Sequence, residues 1–252
     1  MKIYEIMQIM EKEFPLETAY EWDNCGLLLG DKNKEVTKIF LTLDVTEETA
    51  KEAVSCGADM IISHHPLLFG GTKRITSETP EGRTIMLLLE NKISVYAAHT
   101  NCDVAKNGIN ARLAELFELS DVENLEDSGL GRIGKLKKEI SLSDFAELVK
   151  ERLSTPFVRI AGDEKRMIKT VAIGSGACSD SIPVAVLKGA DVMLTADTKY
   201  HEMLNCTACG IAVIDAGHYP TEIIVTDIFE CILKPYGFEL NKSESKDIYK
   251  LI

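Results

Sequence analysis

One stretch of this chain comes round twice. Sliding the sequence by 132 positions lays Gly57-Ala58-Asp59-Met60 on Gly189-Ala190-Asp191-Val192 without a gap. The same shift puts Ile39 to Leu41 on Val171 to Ile173, Ser63 on Thr195 and His65 on Asp197. Further on, Ile211 to Ile214 runs into Asp215-Ala216-Gly217-His218, much as the run ending at Ala97 leads to His99. Repeated strand–helix–strand spacing restricts the fold strongly, because each copy has to bury the same apolar faces in the same order. The expected fold class is α/β: two similar α/β lobes, each a three-layer αβα arrangement, related by internal duplication. The lobes are expected at residues 1–125 and 126–252, interlinked, with the acidic, glycine-bearing stretch Leu119 to Gly134 as the hinge. Their strand ends are expected to face each other across a cleft, with a metal site at the interface.

Local signals set the elements. Ile3, Ile6, Met7, Met10 and Phe14 share a helical face that Pro15 stops. Lys38 to Asp44 reads as a strand, and Thr46 opens a helix with Glu47 and Glu48 in its first turn, where the dipole favours acids. That helix ends near Cys56-Gly57. Met60 to Ile62 is an apolar run that stops at His64-His65-Pro66, as a buried parallel strand does when it delivers polar groups at its carboxyl end. Glu81 to Glu90 is a helix and Ile93 to Ala97 a strand; Asn107 is expected to cap the next helix. Ser141 and Asp144 fit a capping box, Phe157 to Ala161 a strand, and Thr221 to Lys234 the last long helix. Gly174-Ser175-Gly176 reads as a turn between strand and helix. The loop around Trp22, the only tryptophan, suits a pocket rim and a plain structural turn equally.

Charge and cysteine usage exclude several function classes. The net charge is −12, with no cluster of lysine and arginine able to track phosphates, so nucleic-acid partners are disfavoured. No apolar run is long enough to span a bilayer, and the amino terminus reads as helix rather than as a signal peptide, so the cytoplasm is expected. Seven cysteines, an odd number scattered through apolar segments, suit reduced thiols. Cys206 and Cys209, at a helix end, are expected as buried thiols rather than as a redox pair. Phosphate-loop, dinucleotide and nucleophile-elbow motifs are all absent.

Four of the five histidines stand at or beyond strand ends, in His64-His65, in His99 followed by Asp103, and in His218 followed by Glu222. Imidazole is the commonest side-chain metal ligand. Adjacent histidines leaving a strand point apart, so they suit two metals better than one. Asp103 would complete one centre and His218 the other, with Glu222 able to span both. A two-metal site of this kind activates a water between the ions and leaves open positions for substrate. His99 and His201 are the candidates for proton shuttle or anion contact, and two divalent ions, of zinc, iron, manganese or nickel, are the expected cofactors.

The stretches Trp22-Asp23-Asn24-x-Gly26, Ser63-His64-His65-Pro66-Leu67-x-Phe69, His99-Thr100-x-x-Asp103-x-x-x-x-Gly108-x-Asn110 and Gly217-His218-x-x-x-Glu222 resemble the signature of the Nif-three-like family, whose members are called GTP cyclohydrolase 1 type 2 homologues. The resemblance implies a dinuclear site in which His65 and Asp103 bind one ion, His64 and His218 the other, and Glu222 bridges. It also implies a toroidal homohexamer, and this chain resembles the short form that lacks an inserted domain. The implied activity is metal-dependent hydrolysis of a small molecule of the nucleotide class, with a metal-bridged hydroxide as nucleophile. The rival expectation is a non-catalytic metal-binding adaptor or metal-handling ring.

Overall fold

Helix ends and strand starts fall where local chemistry puts them. A computed structural model describes residues 1–250. Helix α1 (Ile3–Glu13) buries Ile3, Ile6 and Met10 and stops just before Pro15. Then come β1 (Gly26–Leu29), β2 (Lys38–Thr42) and α2 (Glu47–Ser55), whose cap Thr46 accepts a hydrogen bond from the Thr49 amide. Strand β3 (Met60–Ser63), α3 (Pro80–Glu90) and β4 (Ser94–Ala97) follow. The chain continues through α4 (Thr100–Val104), α5 (Ile109–Leu116), β5 (Ser120–Asn124), β6 (Arg132–Ser141) and α6 (Leu142–Arg152). Next are β7 (Arg159–Ala161), β8 (Met167–Ile173), α7 (Ile182–Leu187), β9 (Val192–Thr195) and α8 (Tyr200–Ala208). Strand β10 (Ala212–Asp215), helices α9 (His218–Glu222) and α10 (Val225–Leu233), and β11 (Glu239–Lys242) complete the order.

These elements form two compact units. The first holds Met1–Cys102 together with Val225–Lys246; the second holds Asp103–Ile224 and the segment from Asp247. The division differs from the expected lobes at 1–125 and 126–252. Helix α5 goes with the second unit, whereas α10 and β11 return to the first. The reason is pairing: β11 lies parallel to β2, Leu240 opposite Ile39. The acidic stretch expected as a hinge is strand β5 and the start of β6, paired antiparallel.

The first unit's sheet runs β1-β4-β3-β2-β11, parallel except for the edge strand β1. Phe40, Ile61 and Val95 bury one face with α2 and α3 through Ala50, Ala53, Ile85 and Leu88. Residues of opposite parity in the same strands, Ile39, Leu41, Met60, Ile62 and Tyr96, are also buried, as in a strand covered on both faces. Phe14, following α1, meets Phe229 of α10 edge to face, ring centroids 6.1 Å apart.

The second unit's sheet runs β5-β6-β8-β9-β10-β7, with β8, β9 and β10 parallel and the others antiparallel. Ala172, Met193 and Val213 pack with Ala185 and Cys206 of its helices. Its pairings echo those of the first unit at the sequence offset. Ile39 faces Met60 as Val171 faces Val192, each pair 132 positions from the other. Asp59 accepts from the amides of Thr37 and Lys38, and Asp191 from those of Lys169 and Thr170. Gly57 and Gly189, after α2 and α7, share φ near +70°, the left-handed turn that ends a helix without a Cβ clash.

Two further expectations change. The residue capping α5 is Gly108, with no side-chain cap bond, rather than Asn107. The last long helix is two pieces, α9 and α10, so Glu222 ends one helix instead of opening another. Phe229→Ala should cost about 3–5 kcal/mol, the range for emptying a fully buried aromatic site. Urea denaturation checks this, and an unchanged midpoint would show that α10 does not hold the first unit closed.

Candidate metal centre

In the first unit the strand ends gather three imidazoles. Beyond β3 the backbone continues beside the residues after β2, the His64 and His65 amides donating to the Thr42 and Leu43 carbonyls. The Ser63 hydroxyl then donates to the His65 carbonyl at 2.8 Å and fixes the turn. His64 is buried and its ring centroid lies 5.0 Å from that of His65, tilted by 45°. His99, just past β4, stands 5.0 Å from the His64 ring and 5.5 Å from the His65 ring. One ring nitrogen from each of the three lies within 4.8 Å of those of the other two. Adjacent histidines therefore converge here, because the turn after β3 swings them toward a common point.

Each ring is held by an oxygen at Nδ1. For His64 it is the Ala98 carbonyl at 2.8 Å, for His65 the Asp44 carboxylate at 2.7 Å, and for His99 the Asp23 carboxylate at 2.8 Å. An oxygen acceptor keeps the proton on Nδ1, so the lone pair sits on Nε2. This is the orientation that imidazole ligands of divalent ions need. Asp23 is the most heavily bonded of these anchors. Its side chain has no exposed surface and accepts also from the Thr100 amide and hydroxyl, the Asn24 amide and the Cys25 thiol. Burial alone would raise its pKa, but the bonds from His99 and Thr100 outweigh it and hold the carboxyl well below the ordinary range.

The second unit holds carboxylates and an imidazole of its own. His218 and Glu222 lie four residues apart in α9, one helical turn, with Nε2 and Oε2 2.8 Å from each other. The His218 Nδ1 faces Asp197 at 2.8 Å. A neutral imidazole has a single N–H and cannot donate to both carboxylates. A proton or a divalent cation at the Nε2 side resolves the conflict. Gly176 keeps that side open. A Cβ placed there would come within 2.0 Å of Glu222 Oε1, and its φ of +57° disfavours any other residue. The Gly176 amide is fixed by the Thr221 hydroxyl and the neighbouring Ser175 amide by Asn110. Asp103, on α4, carries its carbonyl against the Asn110 amide group at 3.1 Å. His201, exposed on α8, lies against the Tyr200 ring, centroids 5.3 Å apart, and joins no metal-competent group of the described residues.

Sequence reasoning named the histidines, Asp103 and Glu222 as candidates, but not the residues that orient the imidazoles. Asp44 is an ordinary carboxylate by sequence, whereas Asp197 carried a hint through its place opposite His65 in the repeat, and Asp23 through the motif Trp22-Asp23-Asn24-x-Gly26. Gly176 passed as a turn glycine. All seven thiols are free, and Cys209 is exposed where a buried thiol was expected. Burial pushes Cys178 up to about 12. Imidazoles bonded at Nδ1, the Glu222 carboxylate beside His218 and a glycine that leaves room for it are donors that fit divalent cations of the zinc, iron, manganese or nickel type.

The sequence pattern of the Duf34/NIF3 (NGG1p interacting factor 3) family matches residues 1–247. A Clostridium perfringens protein named "GTP cyclohydrolase 1 type 2 homolog" is 39% identical, over 88% of this chain and 87% of its own. The crystal structure of a Bacillus cereus protein related to NIF3 superposes with a TM-score of 0.95 at 25% identity, covering 100% of this chain and 99% of that one. Reduced HcgD from Methanocaldococcus jannaschii reaches 0.88 at 33% identity, over 97% and 98%.

Two measurements follow from the geometry. Gly176→Ala should displace the Glu222 carboxylate and weaken binding of added zinc by about 10–100-fold, as loss of ligand orientation does. Calorimetry with a circular-dichroism control for folding reads this, and unchanged affinity would remove Gly176 from the site. At pH 8 a thiol reagent should label exposed Cys209 and Cys231 at once and Cys178 only after denaturation. Rapid native labelling of Cys178, mapped by mass spectrometry, would contradict its burial.

Proposed function

This chain belongs to the Duf34/NIF3 family, and from that premise we propose a dinuclear metal-dependent hydrolase of the GTP cyclohydrolase 1 type 2 homologue kind. His64, His65, Asp103, His218 and Glu222 would hold the two ions. The observation that carries this reading is the oxygen at Nδ1 of His64, His65, His99 and His218, since nothing about packing alone requires four imidazoles to be turned the same way. A pair of divalent ions, when bound, supplies Lewis acidity that makes a water nucleophilic at neutral pH and stabilises the leaving oxygen.

The protein's own groups supply positioning and proton transfer. Asp44 and Asp197 fix the rings of His65 and His218 and make them better donors. His99 takes the proton-transfer role in preference to His201, because Asp23 orients it among the other imidazoles. Asp23 does not need to change protonation, since its bonds keep it ionised. The substrate we propose is a small molecule of the nucleotide class, on the strength of the name carried by the C. perfringens relative.

Two coarser proposals go with the activity. One is a ring of six copies, which sedimentation would detect. The other is a reducing compartment, the cytoplasm, in keeping with seven free thiols. No helix of the described residues is long and apolar enough to cross a membrane.

Protein purified without added metal should contain two divalent ions per chain by elemental analysis. Loaded protein should hydrolyse a member of a nucleotide and phosphoester panel. His64→Ala should abolish turnover and lower the metal content, and Asp44→Ala should weaken metal binding by about 10–100-fold. Turnover that survives His64→Ala would mean a contaminant, and metal binding without any turnover would favour an adaptor.

A further inference from the structure

Next to the three imidazoles of the first unit stands an aromatic cluster that the hydrolytic reading leaves without a task. Trp22 is 63% exposed and Phe69 60% exposed. Other large side chains are as open, Leu187 among them, so exposure by itself says little. What sets these two apart is where they meet. Their rings lie 5.8 Å apart, and each lies about as far from His99, at 6.2 and 6.1 Å. The three ring planes cross at 70°, 76° and 77°, so none stacks on another and the trio forms a corner.

The corner is held by hydrogen bonds to its loops and to the His99 ring. The Asn24 side chain donates to the Leu68 carbonyl at 2.6 Å, tying the Trp22 loop to the Phe69 loop. The carboxylate of Asp23, next to Trp22, is fixed to His99 and Thr100. Tyr20 supports Trp22 from one side, ring centroids 5.7 Å apart. Two exposed aromatic rings on cross-linked loops lose little entropy when a ligand arrives, which is the condition for a preformed stacking platform. A bare phosphate gains nothing from such a surface, whereas a flat ring gains a face and an edge.

We propose that Trp22 and Phe69 form the binding platform for a flat heteroaromatic ring of nucleobase size, and so place the base of the substrate beside His99. This rests on the hydrolase reading above and adds the part of the substrate that is recognised. Cations bound at the site would attract phosphates, so the contribution of the ring has to be read apart from theirs. An uncharged nucleoside is therefore the cleaner probe.

Trp22 is the only tryptophan, so intrinsic emission excited at the red edge reports this platform alone. Guanosine should quench it saturably and ribose should not. By calorimetry, Trp22→Ala and Phe69→Ala should each weaken guanosine binding by about tenfold, the worth of one base–aromatic stack. Trp22→Phe, which keeps a ring, should stay within a few-fold of the parent. His64→Ala should keep the quench while losing turnover, which separates this proposal from the hydrolytic one. Absence of quenching up to the solubility limit, equal quenching by ribose, or unaltered affinity in Phe69→Ala would each overturn it. So would emission that follows protein concentration and ignores guanosine, since a second copy of the chain would then cover the two rings.

Discussion

An imidazole has two nitrogens and, when neutral, one proton, and the placing of that proton decides what the ring can do. In this protein an oxygen sits 2.7–2.8 Å from Nδ1 of His64, His65, His99 and His218. The proton is thereby held on one side and the lone pair is offered on the other. Everything proposed for the site depends on this single arrangement, whether the offered nitrogen meets a cation or a proton in transit. Three of the four oxygens are carboxylates, which also strengthen the ring as a donor.

The anchors are available because of where parallel strands end. Side chains leaving the carboxyl ends of neighbouring strands are brought side by side by the ladder that pairs those strands. The Ala98 amide bonds the Ser63 carbonyl, and the Ala98 carbonyl in turn meets the His64 ring. The same ladder that buries Ile61 and Val95 thus orients a functional group one step further on. Stability and function are coupled at that step, and a slip in register would lose both. In the second unit the coupling is made by space. Gly176 turns through a conformation that suits glycine and leaves the volume that the Glu222 carboxylate occupies.

Much of this was legible before any coordinates. Apolar runs that stop abruptly at His64-His65, His99 and His218 point to strand ends, and the repeat of Gly-Ala-Asp spacing anticipates the matching registers of β2–β3 and β8–β9. The pairing of the anchors Asp23 and Asp44 with their rings was not legible, since each lies far along the chain from the ring it serves: 76 and 21 positions respectively. A carboxylate's partner is a matter of distance in space, and no local pattern marks it. Strand β5 was misread for a related reason. Its residues are exposed and acidic, so it lacks the apolar alternation by which strands are recognised, and its pairing with β6 makes it a strand.

By itself, then, the amino-acid order determined which segments are helix and strand in the cores, which residue types gather at strand ends, and the family to which the chain belongs. These are consequences of periodicity, capping and short motifs, all of which act over a few residues. Tertiary structure alone decided that α10 and β11 return to the first unit, that Glu222 shares a helical turn with His218, and that Trp22 and Phe69 meet at His99. Each of those outcomes rests on a pairing or a packing contact whose energy depends on the whole fold, so no stretch of sequence read alone contains it.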